Sequence, residues 1–330
     1  MKFSVIGAGG WGTAMARLLA SNGHETVLWV RDPRQAEALQ ITRENAKYLP
    51  GVKLPLAHLE ITTDFAVAVS ADTTFLAVPS FAMDSVLRRV APLASSEAVF
   101  ISLAKGIDRE SHGTMSELIE HHLPTATVYA LSGPSHAEEV GRDNPTAVVL
   151  AGHDLVRGEA LQHTLATDRF RVYLSDDLRG VELCATVKNI IALAAGVSDG
   201  LGYGDNSRSA LVTRGLAELV RFGRAFGAQD KTFFGLSGLG DLVATCTSEH
   251  SRNRRVGYRI GRGESLHDIL SGMDMVAEGI YATQVVHEMA RDQKIDMPIT
   301  EAVHRLLAGH AAPLELVDQI MTRAPKREGF

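Results

Sequence analysis

Cysteine is scarce in this sequence, and its spacing excludes a disulfide framework. The 330 residues include only Cys184 and Cys246, which form no C-x-x-C pair. Disulfide-stabilised secreted domains carry more cysteines at short spacings, so we expect a protein of a reducing compartment, the cytoplasm. The thirteen histidines include no H-E-x-x-H motif or other closely spaced ligand set. No metal site is therefore predicted.

Long apolar runs and an excess of positive charge are also absent. No run approaches the roughly 20 apolar residues that a membrane-spanning helix needs. The opening MKFSVIGAGG leads directly into a strand pattern and lacks the features of a signal peptide. A net charge of −6 argues against nucleic acid as the main partner. We expect neither a membrane span nor a nucleic-acid partner.

The distribution of strand patterns predicts two domains. The first half alternates short β-branched runs with helix-compatible segments, which is typical of a mainly parallel sheet with helices on both faces. Beyond about residue 175 long helical patterns replace the strands. The sequence therefore predicts an α/β fold, with a doubly wound domain over residues 1–177 and an all-helical domain over residues 178–330. The predicted strands cover residues 2–7, 25–30, 59–62, 73–78, 98–104, 127–132, 146–152 and 170–174.

A glycine-rich turn follows the first predicted strand and opens a helix. Gly7, Gly9 and Gly12 have the G-x-G-x-x-G spacing. In such a turn the first glycine permits a tight bend, the second lets the backbone approach a pyrophosphate, and the third allows close packing of helix on strand. The helix N-terminus then binds the anion. This context predicts a dinucleotide site, with a purely structural glycine turn as the alternative.

Two charged residues end the second predicted strand, where the ribose 2′ position of a dinucleotide is read. Asp32 would favour the 2′-hydroxyl of NAD, and Arg31 would favour the 2′-phosphate of NADP. Because both are present, the sequence predicts use of either cofactor. A solvated turn followed by a helix cap is the alternative for this pair.

A lysine lies in the middle of a helical segment that is apolar on every side. Residues 183–196 read LCATVKNIIALAAG, and Lys188 shares its helical stripe with Cys184 and Ile191. An unpaired buried ammonium costs several kcal/mol, so one interpretation is a lysine that snorkels to solvent. The other is a desolvated lysine that transfers protons. The helical pattern alone leaves both open.

Polar segments follow three strands that should end at the ligand-binding edge of the sheet. Ser80 and Lys105 come after the fourth and fifth strands, and residues 131–137, LSGPSHA, come after the sixth. Adjacent Ser135 and His136 lack the G-x-S-x-G context of a hydrolase nucleophile, so serine hydrolysis is not favoured. A solvated loop lysine remains the alternative for Lys105.

Five arginines crowd residues 251–263, SRNRRVGYRIGRG, without an acidic residue among them. An RNA-binding surface would need more interleaved aromatic residues than Tyr258 and a less acidic chain. We therefore expect the segment to bind the phosphate group of a small ligand, with a solvated helix face as the alternative for the individual arginines.

Taken together, these segments resemble the bacterial-type NAD(P)-dependent glycerol-3-phosphate dehydrogenases. The resemblance runs from about residue 4 to about residue 300. Small departures occur after GDN, where Ser207-Arg208-Ser209 stands in place of the commoner Thr-Lys-Ala, and at Ser237 in place of alanine. The segments that carry the resemblance occur in the family's order: GAGGWGTA, VPS, AKG, SGPSHAEEV, KNIIALAAGVSDGLGYGDN, TRGLAE, GLSGLGDLVATC, SRNRRVG and VAEGI.

The resemblance implies a function and an architecture. The enzyme would interconvert sn-glycerol 3-phosphate and dihydroxyacetone phosphate by hydride transfer with NAD(P)H, and would supply the glycerol backbone for phospholipid synthesis. Its architecture would be a Rossmann domain followed by a helical domain like those of 6-phosphogluconate dehydrogenases, in a cytoplasmic homodimer.

The resemblance also implies roles for individual residues. Lys188 would be the general acid/base, and Asp241, if it pairs with Lys188, would raise the pKa of the lysine and fix its direction. The residues expected to bind the triose substrate are Lys105, Gly133, Ser135, Lys188, Asp241, Ser251, Arg252 and Asn253. Those expected to bind the cofactor are Gly7, Gly9, Gly10, Trp11, Gly12, Arg31, Lys105, Ala137, Arg252, Val276 and Glu278.

Two other functions are compatible with parts of the pattern. A β-hydroxyacid dehydrogenase would also carry a lysine on a helix of its second domain, but it would act on a carboxylate. A non-catalytic dinucleotide sensor would bind NADPH and signal to a partner, and an acid/base lysine inside an apolar helix would be a costly feature for such a protein.

Overall fold

The computed structural model describes residues 2–273, 277–325 and 327, which fall into two compact units. The first unit comprises Met1–Ala104 and Gly113–Leu178, and the second comprises Lys105–His112 and Arg179–Phe330. The short segment Lys105–His112 lies within residues 1–177, which the sequence assigned to the first domain. Chain order alone could not show that this segment folds with the helices.

An eight-stranded sheet forms the centre of the first unit. Its order is β3-β2-β1-β4-β5-β6-β7-β8, and all neighbours are parallel except β6 and β7. All eight predicted strands are confirmed, and the strand order reverses between β1 and β4, where open α/β sheets bind ligands. The strands are β1 Phe3–Ile6, β2 Thr26–Trp29, β3 Leu59–Thr62, β4 Thr73–Leu76, β5 Val99–Ser102, β6 Thr127–Ser132, β7 Thr146–Gly152 and β8 Phe170–Ser175.

Helices cover both faces of this sheet, as the alternating pattern predicts. Successive strand residues point to opposite faces, so Phe3 and Val5 of β1 join one apolar cluster while Ile6 joins another. A short 3₁₀ turn, Ser80–Ala82, precedes the fourth helix. The helices are α1 Gly10–Ser21, α2 Pro33–Thr42, α3 Phe65–Val69, α4 Met83–Val90, α5 Met115–His122, α6 Ala137–Val140 and α7 Leu155–Leu165.

From Arg179 onward, the described residues of the second unit form helices and connecting loops without a strand, as predicted. Pro298 and Pro313 open the last two helices, where a proline costs no backbone hydrogen bond. A π-helical turn, Leu236–Gly240, leads into the fourth helix of this unit, which begins at Asp241. The helices are α8 Leu178–Gly200, α9 Asp205–Ala225, α10 Asp230–Phe233, α11 Asp241–Thr247, α12 Arg252–Gly261, α13 Leu266–Ser271, α14 Glu278–Asp292, α15 Pro298–Leu307 and α16 Pro313–Met321.

Helix α8 forms the centre of the helical unit. It is long and apolar enough to cross a membrane by length and composition, but 94% of its most apolar 18-residue window is buried inside the protein. A helix that is apolar all round is expected in the core of a large domain. Its residues Val187, Ile190 and Ile191 are completely buried in one cluster with side chains of the surrounding helices.

A buried carboxylate of α9 fixes the start of α15. Glu218, which is 1% exposed, accepts hydrogen bonds from the backbone N–H of Ile299 at 2.5 Å and of Thr300 at 3.0 Å, and from the Thr300 hydroxyl at 2.9 Å. The first N–H groups of a helix lack partners within the helix, so this side chain satisfies them from a neighbouring helix.

Burial raises the pKa of the Glu218 carboxyl from its ordinary value of 4.5 to about 7, although the hydrogen bonds from Ile299 and Thr300 act in the opposite direction. Because the folded-state pKa is the higher one, the folded chain holds an extra proton between these two values. The contribution of this protonation to stability is complete below about pH 4.5 and is lost as the pH rises through about 7.

Glu218→Gln should therefore remove part of the pH dependence of stability. The free energy of unfolding of the wild type should lose about 3 kcal/mol through this group between pH 4.5 and 7.5, whereas glutamine does not titrate. Chemical denaturation of both proteins at several pH values measures the difference. Glu60→Gln, at an exposed position of β3, is the control. A pH-independent difference between wild type and Glu218→Gln would contradict this assignment.

Candidate functional site

The glycine-rich turn between β1 and α1 has the geometry of a dinucleotide loop. Gly7 has a φ of 114°, a conformation that favours glycine, and a Cβ on Gly12 would lie 2.0 Å from the carbonyl oxygen of Gly7. A Cβ on Gly9 would meet no atom within 4 Å, so the backbone there is open to a ligand. Gly9 is the N-cap residue of α1 and has no side chain that could accept a hydrogen bond from the helix. The first N–H groups of α1 can therefore bind an anion. These residues fit a pyrophosphate.

Two amide side chains outside the motif hold this turn in place. Gln35 and Asn45 both donate hydrogen bonds to the carbonyl oxygen of Ala8, at 3.0 and 2.9 Å, and buried Asn45 also donates to the hydroxyl of Thr13 at 2.8 Å. Gln35 and Asn45 are not among the residues predicted from the sequence. Neither belongs to a motif, and only the fold brings them to the loop.

The structure separates the roles of the two charged residues after β2. Asp32 caps α2 by accepting a hydrogen bond from the N–H of Arg34 at 2.9 Å, as the alternative interpretation held. Arg31 is exposed. The side chain with the greater freedom to bind a ribose 2′ substituent is therefore the arginine.

The other first-unit candidates lie near the same loop or after β6. A Cβ on Gly10 would lie 3.5 Å from the Cβ of Ala137, the first residue of α6, and the half-buried Trp11 packs against the core of this unit. Gly133 has a φ of 132°, and the hydroxyl of Ser135 donates to its carbonyl oxygen at 3.0 Å. This hydroxyl is thus engaged with the backbone, which gives no support to a nucleophilic role.

In the second unit a buried carboxylate lies between two lysines. The Nζ of Lys188 is 2.7 Å from Oδ1 of Asp241, and the Nζ of Lys105 is 2.9 Å from Oδ2. The Lys188 side chain is only 4% exposed, so the snorkelling interpretation is wrong. Lys188 comes from α8, Asp241 opens α11, and Lys105 comes from the segment that joins the helical unit. A cluster of two cations and one anion is thus largely removed from water.

The electrostatics of this cluster tune the pKa of Lys188. Burial lowers it to about 8, and repulsion by Lys105 acts in the same direction, while attraction to Asp241 opposes both. Burial alone would raise the pKa of Asp241, but the adjacent Lys105 and Lys188 outweigh burial and hold it below its usual value. The carboxyl group therefore stays ionised near neutral pH, where Lys188 can exchange its proton.

Thr245 completes this cluster and is not among the residues predicted from the sequence. The Nζ of Lys188 donates to its hydroxyl at 2.6 Å, and that hydroxyl donates to the backbone carbonyl of Asp241 at 2.6 Å. Thr245 lies one turn after Asp241 on α11, so the i, i+4 spacing was the available signal. That signal is weak because threonine is common on buried helix faces.

A network of buried amides lies beside the lysines. Asn189 donates to the carbonyl oxygens of Lys105 at 3.3 Å and Ala185 at 3.1 Å, and its own Oδ1 accepts from Asn253 at 2.9 Å. The Oδ1 of Asn253 accepts from the N–H of Gly279 at 3.0 Å. The network joins the Lys105 segment, α8, α12 and the start of α14.

The remaining candidates of the helical unit lie at the starts of α12 and α14. Ser251 caps α12 by accepting from the N–H of Arg254 at 3.2 Å, and Ser251 and Asn253 are buried whereas Arg252 is exposed. Glu278 is half-buried as the first residue of α14. Val276 lies outside the described residues. Within residues 2–273, 277–325 and 327, no group of three or more His, Cys, Asp or Glu residues could hold a metal ion.

Comparison with known proteins gives the same family from each half of the chain. Residues 2–156 match the N-terminal family model of NAD-dependent glycerol-3-phosphate dehydrogenases, and residues 177–318 match the C-terminal one. The chain is 46% identical over 331 residues to glycerol-3-phosphate dehydrogenase (NAD(P)+) 2 of Salinibacter ruber, a match that covers 99% of this chain and 96% of the relative. It is also 46% identical to the enzyme of Pelotomaculum thermopropionicum, with 99% and 95% covered.

A solved structure is similar over the same length. The crystal structure of glycerol-3-phosphate dehydrogenase from Coxiella burnetii matches with a TM-score of 0.94 and 38% identity, and the match covers 98% of this chain and 99% of that one. The chain therefore belongs to the NAD(P)-dependent glycerol-3-phosphate dehydrogenases and is an oxidoreductase that interconverts sn-glycerol 3-phosphate and dihydroxyacetone phosphate.

Proposed function

We propose that Lys188 is the general acid/base of this hydride transfer. The observation that carries the proposal is the buried ammonium held by Asp241 and Thr245, with a pKa of about 8. A group that exchanges a proton near the working pH is suited to acid/base catalysis. Asp241 and Thr245 hold its Nζ in one place, and the position of a proton donor matters as much as its pKa.

The proton transfer follows from this arrangement. The nicotinamide, when bound, supplies or accepts the hydride at the substrate carbon. As the ketone is reduced, Lys188 donates a proton to the developing alkoxide oxygen; in the reverse direction neutral Lys188 removes the proton from the hydroxyl. Asp241 is ionised because Lys105 and protonated Lys188 hold its pKa below the usual value. While Lys188 is protonated the cluster carries a net positive charge, which favours the negative charge that develops on the ketone oxygen.

The phosphate of the substrate is assigned to the start of α12. Arg252 is an exposed cation at the first position of α12, and the N-terminus of this ten-residue helix adds its own attraction for an anion. Buried Ser251 and Asn253 are engaged in hydrogen bonds that hold this turn. They would support the phosphate through the backbone they fix. Lys105, Gly133 and Ser135 complete the proposed substrate set.

The cofactor is assigned to the glycine-rich loop and its surroundings. The first N–H groups of α1 would bind the pyrophosphate beside Gly7, Gly9 and Gly12, and Arg31 would bind the 2′-phosphate of NADP. The same proposal gives cofactor contacts to Gly10, Trp11, Lys105, Ala137, Arg252, Val276 and Glu278.

We further propose that the enzyme supplies sn-glycerol 3-phosphate as the backbone for phospholipid synthesis, as a cytoplasmic homodimer. Cys184 and Cys246 are both buried and form no disulfide, which fits a reducing compartment. The dimer rests on the resemblance to the family alone, and sedimentation of the purified protein measures it.

Lys188→Ala should lower kcat by about 10²–10⁴-fold, the range for loss of a general acid/base, and should leave the affinity for NADPH nearly unchanged. Steady-state rates with dihydroxyacetone phosphate and a fluorescence titration with NADPH measure the two quantities. Lys231→Ala, at an exposed lysine of α10, is the matched control and should keep wild-type activity. Near-normal turnover of Lys188→Ala would refute the assignment.

The pH profile tests the same role independently. Reduction needs protonated Lys188, so kcat for reduction should fall as the pH rises through about 8, and kcat for oxidation should rise over the same interval. Asp241→Asn removes the attraction that raises the lysine's pKa, so the inflection in this variant should move to lower pH. An inflection at the same pH in both enzymes would exclude Lys188 as the titrating group.

Arg31→Ala should weaken NADPH binding by about 1.5–3 kcal/mol, the value of a charge-assisted contact, and leave NADH binding nearly unchanged. Titrations of both cofactors measure this. Arg169→Ala removes the same charge from an exposed position just before β8 and serves as control. Equal losses for NADPH and NADH in Arg31→Ala would indicate a structural role.

In Arg252→Ala, kcat/KM for dihydroxyacetone phosphate should fall by a factor equivalent to several kcal/mol, on the order expected when a charged group loses its partner. The decrease in kcat/KM for dihydroxyacetone should be much smaller. The truncated substrate lacks the group that Arg252 is proposed to bind. Measuring both substrates with both enzymes closes a thermodynamic cycle. Equal impairment on both substrates would show that Arg252 acts through the cofactor or the fold.

A further inference from the structure

Helices α8 and α12 touch through their backbones. A Cβ on Gly196 of α8 would lie 2.0 Å from the carbonyl oxygen of Arg254, and a Cβ on Gly257 of α12 would lie 2.1 Å from the carbonyl oxygen of Leu193. The glycines recur one turn later in both helices, at Gly200 and Gly261. This packing fixes the distance between the helices. Glycine surfaces have no side chains that interlock, so they define the position of one helix along the other only weakly.

A buried carboxylate joins the same two helices. Asp199 of α8 has a side chain only 5% exposed, and its Oδ2 accepts from Nε of Arg254 at 2.8 Å and lies 2.7 Å from Nη2. Arg254 belongs to the first turn of α12, two residues after Arg252. Asp199 follows Lys188 by three helical turns, roughly 16 Å along α8. The ion pair thus links the helix of the proposed acid/base to the turn of the proposed phosphate anchor.

A second arginine holds the other oxygen of Asp199. Nε and Nη2 of Arg208, on α9, donate to Oδ1 at 3.0 and 2.8 Å, while its Nη1 donates to Asp205 at 2.8 Å. A lysine has one nitrogen and lacks the planar fork of arginine, so Arg208 orients the Asp199 carboxylate more firmly than a lysine would.

We propose that Asp199 is a positioning residue for substrate binding: through Arg254 it fixes the first turn of α12, and with it Arg252, in register with α8 and Lys188. Buried polar pairs are well suited to setting the register of packed helices. This inference rests on the proposed binding of the substrate phosphate by Arg252. It gives Asp199 no contact with the substrate.

The test compares phosphorylated and unphosphorylated substrate. Asp199→Asn should lower kcat/KM for dihydroxyacetone phosphate about 10- to 100-fold, the size expected for an anchor displaced by up to 1 Å, and change kcat/KM for dihydroxyacetone less than threefold. A purely structural defect would reduce both alike. Asp205→Asn is the matched control, because it removes the exposed partner of Arg208 and leaves the link to α12 intact. It should leave the ratio of the two values unchanged.

A double variant separates this proposal from the proposed anchor. If Asp199 acts through Arg252, Asp199→Asn should not change the substrate ratio further in an Arg252→Ala background. If Arg252→Ala alone changes the ratio and Asp199→Asn does not, the positioning role is wrong while the anchor stands. If Arg252→Ala also leaves the ratio unchanged, the anchor fails and the positioning role fails with it.

If Asp199→Asn does not fold, Arg254→Lys and Arg254→Gln test the same ion pair from its other side. Arg254 is partly exposed, so neither change leaves an isolated buried charge on α12. The lysine variant keeps one charged contact with Asp199. Its ratio of kcat/KM for dihydroxyacetone phosphate to kcat/KM for dihydroxyacetone should therefore lie closer to the wild-type ratio than that of the glutamine variant. Equal ratios in wild type and Arg254→Gln would overturn the proposal.

Discussion

The helical unit depends on one buried carboxylate, Asp241, which lies between Lys188 and Lys105. Removing an ammonium group from water is unfavourable by several kcal/mol unless it is paired, and a single carboxylate compensates two such groups here. The compensation is incomplete because the cluster retains a net positive charge. Burial, together with the weaker repulsion by Lys105, keeps the pKa of Lys188 at about 8, well below that of a solvated lysine, although Asp241 acts in the opposite direction.

The same interaction explains why three separate parts of the chain must come together. Helix α8 supplies an apolar environment, α11 supplies the carboxylate and Thr245, and the segment Lys105–His112 supplies the second cation. Asn189 reinforces the arrangement because its amide holds the backbone of Lys105 beside α8. An error in any of these contacts would leave a buried charge without its partner, so the fold and the chemistry of this region share one set of constraints.

Glycine has a different task in each unit. In the first unit Gly7 and Gly12 let β1 and α1 approach so closely that a side chain at Gly12 would overlap the carbonyl of Gly7. The first turn of α1 has no side-chain cap, so its first N–H groups remain available to an anion. In the second unit Gly196 and Gly257 bring two helix backbones into contact, and charged side chains then set their relative position. Glycines allow a close backbone approach in both units. Of these two contacts, only the glycine-rich loop of the first unit leaves space for a ligand, beside Gly9.

The sequence by itself determined the strands, the change to helices near residue 175, the glycine-rich loop and the identity of Lys188 as an unusual residue. Each of these is written in local spacing: period two in strands, 3.6 in helices, and fixed offsets in the loop. Tertiary structure decided the rest. Groups far apart in the chain determine whether Lys188 reaches solvent or Asp241. The same is true of whether Asp32 binds ribose or caps α2, and of which helices Lys105 joins. Gln35, Asn45 and Thr245 escaped sequence analysis for the same reason: burial and pairing are properties of three-dimensional neighbours, and local spacing does not encode them.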